Sequence, residues 1–239
     1  MKKALLDKLQ AARARKLSAV LVTDLASGDQ CLLIGQDQYG NLTLEPAIIA
    51  EIDQMCSDDR SRTVSVGDND GHRLFIHIYS PPKRLIIVGA VHIAQSLAPM
   101  ATLAGYDVTV VDPRGTFATA QRFPGVTLAQ GWPDEELEKL APDRRTAVVT
   151  LTHDPKLDDP ALNSALASEA FYIGALGSRR THGQRLERLR EVGRSEEELN
   201  RIHGPVGLNI GSISPAEIAV SILGQMTQVL HIPLSERAA

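Results

Sequence analysis

The stretch RLIIVGAVHIAQSLAPMATLAGYDVTVVD, Arg84 to Asp112, decides how this chain reads. Leu85–Val88 is a short apolar run of the kind buried on both faces of a sheet. It breaks at Gly89, and from His92 to Ala104 apolar and small residues recur at helical spacing. Asp107–Asp112 is a second strand-like run. Strand, turn, helix, strand within about thirty residues is a βαβ unit. Its turn, Gly89-Ala90-Val91-His92-Ile93-Ala94, approaches the pattern G-x-G-x-x-G/A, which rests a diphosphate on a helix N-terminus.

Gly89 meets the first requirement of that pattern, a sharp turn, and Ala94 is an accepted substitute for the third glycine. Val91 stands where the second glycine belongs; a β-branched side chain stiffens the backbone there and is expected to project toward the space of a diphosphate. The helix start keeps its unpaired N–H groups and partial positive charge, so its attraction for anions is weakened and not abolished. Asp112, at the end of the second strand, stands where a carboxylate accepts ribose hydroxyls. It reads equally as the cap of the turn Asp112-Pro113-Arg114-Gly115.

Downstream the alternation continues. Strands are expected at Val126–Ala129, Thr146–Thr152 and Phe171–Gly177, with a sixth at Val206–Ile210. Helices are expected near Asp134–Leu140, Pro160–Ser168, Arg179–Val192 and Pro215–Leu230. Ser214 with Glu217 and Ser195 with Glu198 form capping boxes. Such alternation builds a mostly parallel sheet covered on both faces, a Rossmann-like α/β fold.

Upstream, Pro81-Pro82 interrupts any regular element and marks a linker. The expected division is a small α+β domain over 1–80 and the Rossmann-like domain over 83–239. The first part opens with an amphipathic helix, MKKALLDKLQAARARK, and carries strand-like runs SAVLVTD, QCLLIG and RLFIHIYS and a helical run PAIIAEIDQM. SGDQ, DQYGN and GDNDGH between them are hairpin-turn chemistry. His72 and His77 alternate along the last strand and are expected at the surface.

Composition narrows the class. Of the 239 residues, 43% are hydrophobic and 23% charged, and the net charge is −4, so nothing global favours nucleic acid. Cys31 and Cys56 match no metal spacing and suit a reducing cytosol. The basic N-terminus lacks the apolar core of a signal peptide, and no run approaches the roughly 20 apolar residues of a membrane span. The expectation is a cytoplasmic soluble protein without membrane contact.

Ligands of open α/β sheets gather beyond the carboxyl ends of the strands. Thr152, His153 and Asp154 end the fourth strand. His153, Asp154 and Asp158 are metal-ligand types, but their spacing matches no established hydrolase signature. The preferred reading has His153 as a polar contact to a ligand and Asp158 or Asp159 as the cap of the next helix. After the fifth strand, Gly177-Ser178-Arg179-Arg180 puts backbone amides, a hydroxyl and two forked guanidinium groups at a helix start. Arginine is unfavourable there unless an anion is bound, which favours an anion site over surface ion pairing. No Ser-His-Asp, Walker or zinc-hydrolase pattern appears, so no catalytic or metal-binding residue is assigned.

The strings IIVGAVHIAQSLAPMATLAGYDVTVVDPRGTFA, VVTLTHDPKLDDPAL, FYIGALGSRRTHGQRLERL and PVGLNIGSISPAEIAVSIL, in this order from about Lys83 to Leu230, resemble the C-terminal Rossmann domain of the XdhC/CoxI family. The resemblance implies a maturation chaperone for molybdenum hydroxylases of the xanthine dehydrogenase or carbon monoxide dehydrogenase type. Such a protein would bind molybdenum cofactor, as molybdopterin or its dinucleotide, and shelter it while a sulfido ligand is installed. Delivery to the apo-hydroxylase follows, with a cysteine desulfurase as a possible further partner and a homodimer as the usual form. The family's first turn resembles G-A-G-H-V-A, whereas Val91 stands here in place of its central glycine. Its N-terminal G-S-x-P-R-type loop is absent, with LASGDQ in that place, so the N-terminal part is atypical.

Cofactor contacts are therefore expected from Gly89, Ala90, Val91 and His92, from Asp112 and Arg114, from Thr152, His153 and Asp154, and from Gly177, Ser178, Arg179 and Arg180. Two other readings stay open at this point: an NAD(P)-dependent oxidoreductase, with His153 as proton donor, and a partner-binding regulator using the fold as a scaffold. If Val91 is what obstructs the first turn, Val91→Gly strengthens nucleotide binding; calorimetric titration showing no gain removes that explanation.

Overall fold

The computed structural model describes residues 2–66 and 73–232. The chain divides into two compact units, Met1–Pro82 and Lys83–Ala239.

In the first unit, five strands form an antiparallel sheet: β1 (Ala19–Asp24), β2 (Gln30–Ile34), β3 (Asp37–Gly40), β4 (Arg62–Ser65) and β5 (Arg73–Tyr79), in the order β3-β2-β1-β5-β4. Side chains alternate between faces along a strand, and each face meets a helix. Ala19, Leu21 and Leu32 pack with Leu5, Leu9 and Ala12 of α1 (Lys3–Ala14). Val20, Val22, Leu74 and Ile76 pack with Ile48, Ile52 and Met55 of α2 (Pro46–Asp58). The segment DQYGN, expected as a turn, supplies β3 instead: Ile34 pairs with Asp37, so the chain reverses at Gly35-Gln36. Strand β4 is short, mostly polar and at the sheet edge, which is why its pattern is faint. His77 lies half-buried on β5 with its ring beside those of Phe75 and Tyr79. His72 and the GDNDGH turn lie outside the described residues.

In the second unit, six parallel strands take the order β11-β10-β9-β6-β7-β8. They are β6 (Lys83–Val88), β7 (Tyr106–Val111), β8 (Thr127–Ala129), β9 (Thr146–Thr150), β10 (Tyr172–Ala175) and β11 (Ile202–His203). Counted from β6, this is the 3-2-1-4-5-6 order of doubly wound dinucleotide folds. Leu85–Val88 are buried on both faces: Leu85 and Ile87 enter one core, and Ile86 and Val88 the other. The first core is closed by α3 (His92–Leu103) and α8 (Pro215–His231), and the second by α4 (Pro133–Leu140), α5 (Pro155–Leu166) and α6 (Arg179–Glu191). Burial of each such aliphatic side chain stabilises by about 1.5–3 kcal/mol.

Two sequence-based boundaries and one capping residue need correction. The sixth strand is Ile202–His203 and not Val206–Ile210. Gly207, at φ +96°, is pressed against α8, where a Cβ would stand 2.3 Å from Ser221 Oγ, so the run turns where a strand would continue. Helix α5 begins at Pro155 and not Pro160: Asp154 accepts from the Lys156 amide, Pro155 takes the first helical position, and Pro160 lies inside the helix. Neither Asp158 nor Asp159 is the cap. Both expected capping boxes are formed, Ser195–Glu198 at the short helix α7 (Glu196–Leu199) and Ser214–Glu217 at α8.

Gly89 ends β6 at φ +111°, donates to the Val111 carbonyl at 2.8 Å, and leaves no room beside β9, because a Cβ would stand 2.6 Å from Thr152 Cγ2. Backbone strain and overpacking each cost about 1–3 kcal/mol. Gly89→Ala is therefore expected to lower unfolding stability by about 3 kcal/mol, read by urea denaturation; a variant as stable as the wild type contradicts this packing.

Candidate functional site

Strand order reverses between β6 and β9, and the crevice beyond their carboxyl ends is where such sheets take ligands. Its walls are the turns Gly89–Val91 and Thr152–Asp154, with the turn after β7 on one side and the turn after β10 on the other.

Asp112 is fully buried, and both its oxygens are occupied. Oδ1 accepts from Arg114 N and Nε, both at 2.9 Å, and Oδ2 accepts from Ala90 N and Arg114 Nη2, both at 2.8 Å. A carboxylate offers about four lone-pair sites, and this one has four donors. The structure thus makes Asp112 the cap of its turn and the tie to the first turn, with no oxygen lone pair left for a ribose. Burial acts to raise its pKa, and the Arg114 guanidinium with the Ala90 and Arg114 amides outweighs burial, holding the carboxyl below the usual carboxylate value. Arg114 stays partly exposed at the rim and feels the charges of Asp154 and Asp158.

Val91 is the residue before α3 and packs, half-buried, against the first core. It supplies no side-chain cap, so the first-turn amides of α3 are free of that bond, with His92 exposed above them. Across the crevice, Thr152 Oγ1 donates to Asp158 Oδ1 at 2.6 Å and accepts from Asp154 N at 3.1 Å. His153 is exposed in a left-handed conformation, φ +63°, unusual for a side chain with a Cβ and the kind of strain that collects at functional sites.

At the β10–α6 turn, Ser178 caps α6 by accepting from Thr181 N at 3.1 Å. Arg179 and Arg180 are exposed and make no ion pair among the described residues. Helices α4, α5, α7 and α8 carry acidic residues in their first turns, whereas α3 and α6 carry none. The Asp154 carboxylate fills the anion place at α5. Two helix starts on this rim, α3 and α6, thus carry no acidic side chain in their own first turns.

Below the rim lies a group that sequence reasoning misses. Asp158 and Arg185 are both buried, with Asp158 Oδ2 and Arg185 Nη2 3.6 Å apart, and Nη2 donates to the Leu176 carbonyl at 2.8 Å. Burial raises the Asp158 carboxyl and lowers the Arg185 guanidinium. Burial also lowers the His182 imidazole, helped by the Arg185 charge. The signal that could have found the group is spacing: His182, Arg185 and Leu189 recur on one helical face. Among the described residues no group of three or more His, Cys, Asp or Glu could hold a metal ion, and no helix is long and apolar enough to cross a membrane.

Residues 85–226, more than half of the chain, match the XdhC Rossmann domain. The chain belongs to the XdhC family. It is 36% identical over 154 residues to the molybdenum cofactor insertion chaperone PaoD of Escherichia coli, covering 64% of this chain and 42% of that protein. It is 33% identical over 177 residues to YqeB of the same organism, covering 71% of this chain and 32% of YqeB. A protein of Bacillus subtilis named as a probable subunit of xanthine dehydrogenase is 32% identical over 156 residues, covering 65% and 45% of the two chains. The chain thus spans less than half the length of these curated relatives. A crystal structure titled as a xanthine dehydrogenase from Bacillus halodurans shares the fold, with a TM-score of 0.75 and 24% identity over 98% of this chain and 66% of the other. The likeness found in the sequence is thereby borne out at the level of family and fold.

The Asp112 geometry sets a pH dependence. A carboxyl held below its usual pKa contributes stability that is full above the unfolded value and lost as pH falls through the lowered one. Asp112→Asn is expected to cost about 2 kcal/mol at neutral pH. The gap to wild type should close below about pH 4, as followed by denaturant unfolding across pH. A gap constant with pH contradicts the assignment.

Proposed function

We propose that this chain binds molybdenum cofactor along the rim of its parallel sheet, shelters it while the sulfido ligand is installed, and hands it to an apo-molybdenum hydroxylase of the xanthine dehydrogenase or carbon monoxide dehydrogenase type. Its relatives carry the names of a cofactor insertion chaperone and of a probable component of xanthine dehydrogenase, which supports this class of work. The cofactor is cargo, and the chain need not turn anything over.

The observation that carries the reading is the pair of helix starts at α3 and α6, free of acidic side chains, with Arg179 and Arg180 exposed at the second. A pterin phosphate, or the diphosphate of a dinucleotide form, is the anion such starts attract. Planar guanidinium forks make paired charge-assisted bonds to phosphate. Gly89, Ala90, Val91 and His92 would line one end of the ligand, Gly177 and Ser178 the other, and Thr152, His153 and Asp154 the floor between them. Arg114 would face the ligand from the β7 side. The filled carboxylate of Asp112 speaks against an NAD(P) enzyme, since the residue at the usual ribose position is already engaged by Ala90 and Arg114. Action in the cytoplasm, as a homodimer and with a cysteine desulfurase, belongs to the same proposal.

Arg179→Glu combined with Arg180→Glu is expected to weaken binding of purified cofactor at least about a hundredfold while circular dichroism stays unchanged. Undiminished affinity in the folded double variant removes the assignment.

A further inference from the structure

Arg185 heads the fully buried side chains of the described residues by volume, and it is poorly matched to its surroundings. Its Nε and Nη1 have no hydrogen-bond partner among the described residues; nor do Asp158 Oδ2 and Thr150 Oγ1. A buried guanidinium with unmade bonds is costly, and a buried pair that does not hydrogen-bond recovers little of that cost. Replacement by an aliphatic side chain would suit a helix packed on the second core, so packing does not explain an arginine at this position.

Its placement does. A helical side chain runs back toward the helix start, and the Arg185 guanidinium ends against the β10–α6 turn. Nη2 holds the Leu176 carbonyl and lies 3.8 Å from where a Cβ on Gly177 would stand. Asp158 takes both Thr152 donors on Oδ1, while its Oδ2, which has no hydrogen-bond partner among the described residues, lies 3.6 Å from the same Nη2. Arg185 thus sets a buried guanidinium against the start of α6, with the Asp158 carboxylate beside it. Above the same turn lie the first-turn amides and Arg179 and Arg180, which are exposed and make no ion pair among the described residues. Like charges gathered at a positive helix end repel one another unless an anion joins them. Neither neighbouring turn has this arrangement: α5 carries its own Asp154, and the first turn of α3 has no basic side chain other than His92.

We propose that the β10–α6 turn, Gly177–Thr181, is the subsite for the terminal phosphate monoester of the ligand, with Arg185 as a buried positioning charge beneath it. The amides and the Arg179 and Arg180 forks meet the phosphate from the solvent side. Arg185 does not touch it and acts through its field and through the turn it holds. This assignment rests on the rim being the cofactor site, but it can be tested without the cofactor.

The test titrates the full chain with inorganic phosphate and pyrophosphate, by calorimetry and by amide chemical shifts. Phosphate is expected to shift the amides of Gly177–Thr181. Arg185→Met should weaken phosphate binding about tenfold. Asp158→Asn, which keeps an oxygen for Thr152 but removes the buried negative charge, should strengthen it. A merely structural pair would answer both substitutions in the same direction. If Arg185→Met does not fold, the sign of the Asp158→Asn effect and the wild-type shifts decide. Turn amides unmoved by phosphate, or weaker binding in Asp158→Asn, overturn the subsite. Phosphate at the turn with no binding of purified cofactor leaves the subsite standing and removes the wider reading; cofactor bound with the turn unmoved does the reverse.

Discussion

A carboxylate out of reach of water must find donors within the protein, and the rim of the parallel sheet is organised around two that do so differently. Asp112 gathers four donors and welds the turn after β7 to the turn after β6. Asp158 takes two from Thr152 and faces Arg185 without a hydrogen bond, and Arg185 in turn grips the end of β10. Gly89 closes the gap between the two systems by pressing on Thr152. Four consecutive strand ends, β7, β6, β9 and β10, are thereby held in one bonded and packed series. The first system is saturated and the second is not, and that inequality separates a purely architectural carboxylate from a charge pair with unspent hydrogen-bonding capacity.

The same inequality orders the helix starts. Where a helix of this unit carries its own acid in the first turn, its positive end is satisfied from within, as at α5 through Asp154 and at α8 through Glu217. Where it carries none, the end is available to something else. Among the described helices of this unit, α3 and α6 are the two on the rim that carry no acidic residue in the first turn.

Much of this was legible in the residues. Leu85–Val88, Val108–Val111 and Ala147–Val149 are apolar or nearly so throughout because both their faces are covered, and that kind of run is hard to mistake for a helix. Capping boxes at Ser195 and Ser214 announce their helices through local hydrogen bonds alone. Where two prolines competed for one helix start, at 155 and 160, the outcome turned on Asp154 being free to cap, which only the backbone geometry displays. Arg185 escapes notice because α6 is densely charged, and a charged helix reads as solvent-facing unless the stripe through Leu189 is followed. The engagement of Asp112 with Arg114 was open for a different reason: a carboxylate at that position looks the same in sequence whether its oxygens face a ligand or its own turn.

The parallel sheet ends in β8 on one side, three residues long, and in β11 on the other, two residues long. Strands this short offer an incoming chain almost no backbone to zip onto, which guards against sheet-to-sheet polymerisation. The backbone of this sheet is thereby closed to strand addition at both edges, and the surface left for contact is that of its helical flanks and its loop-bearing rim.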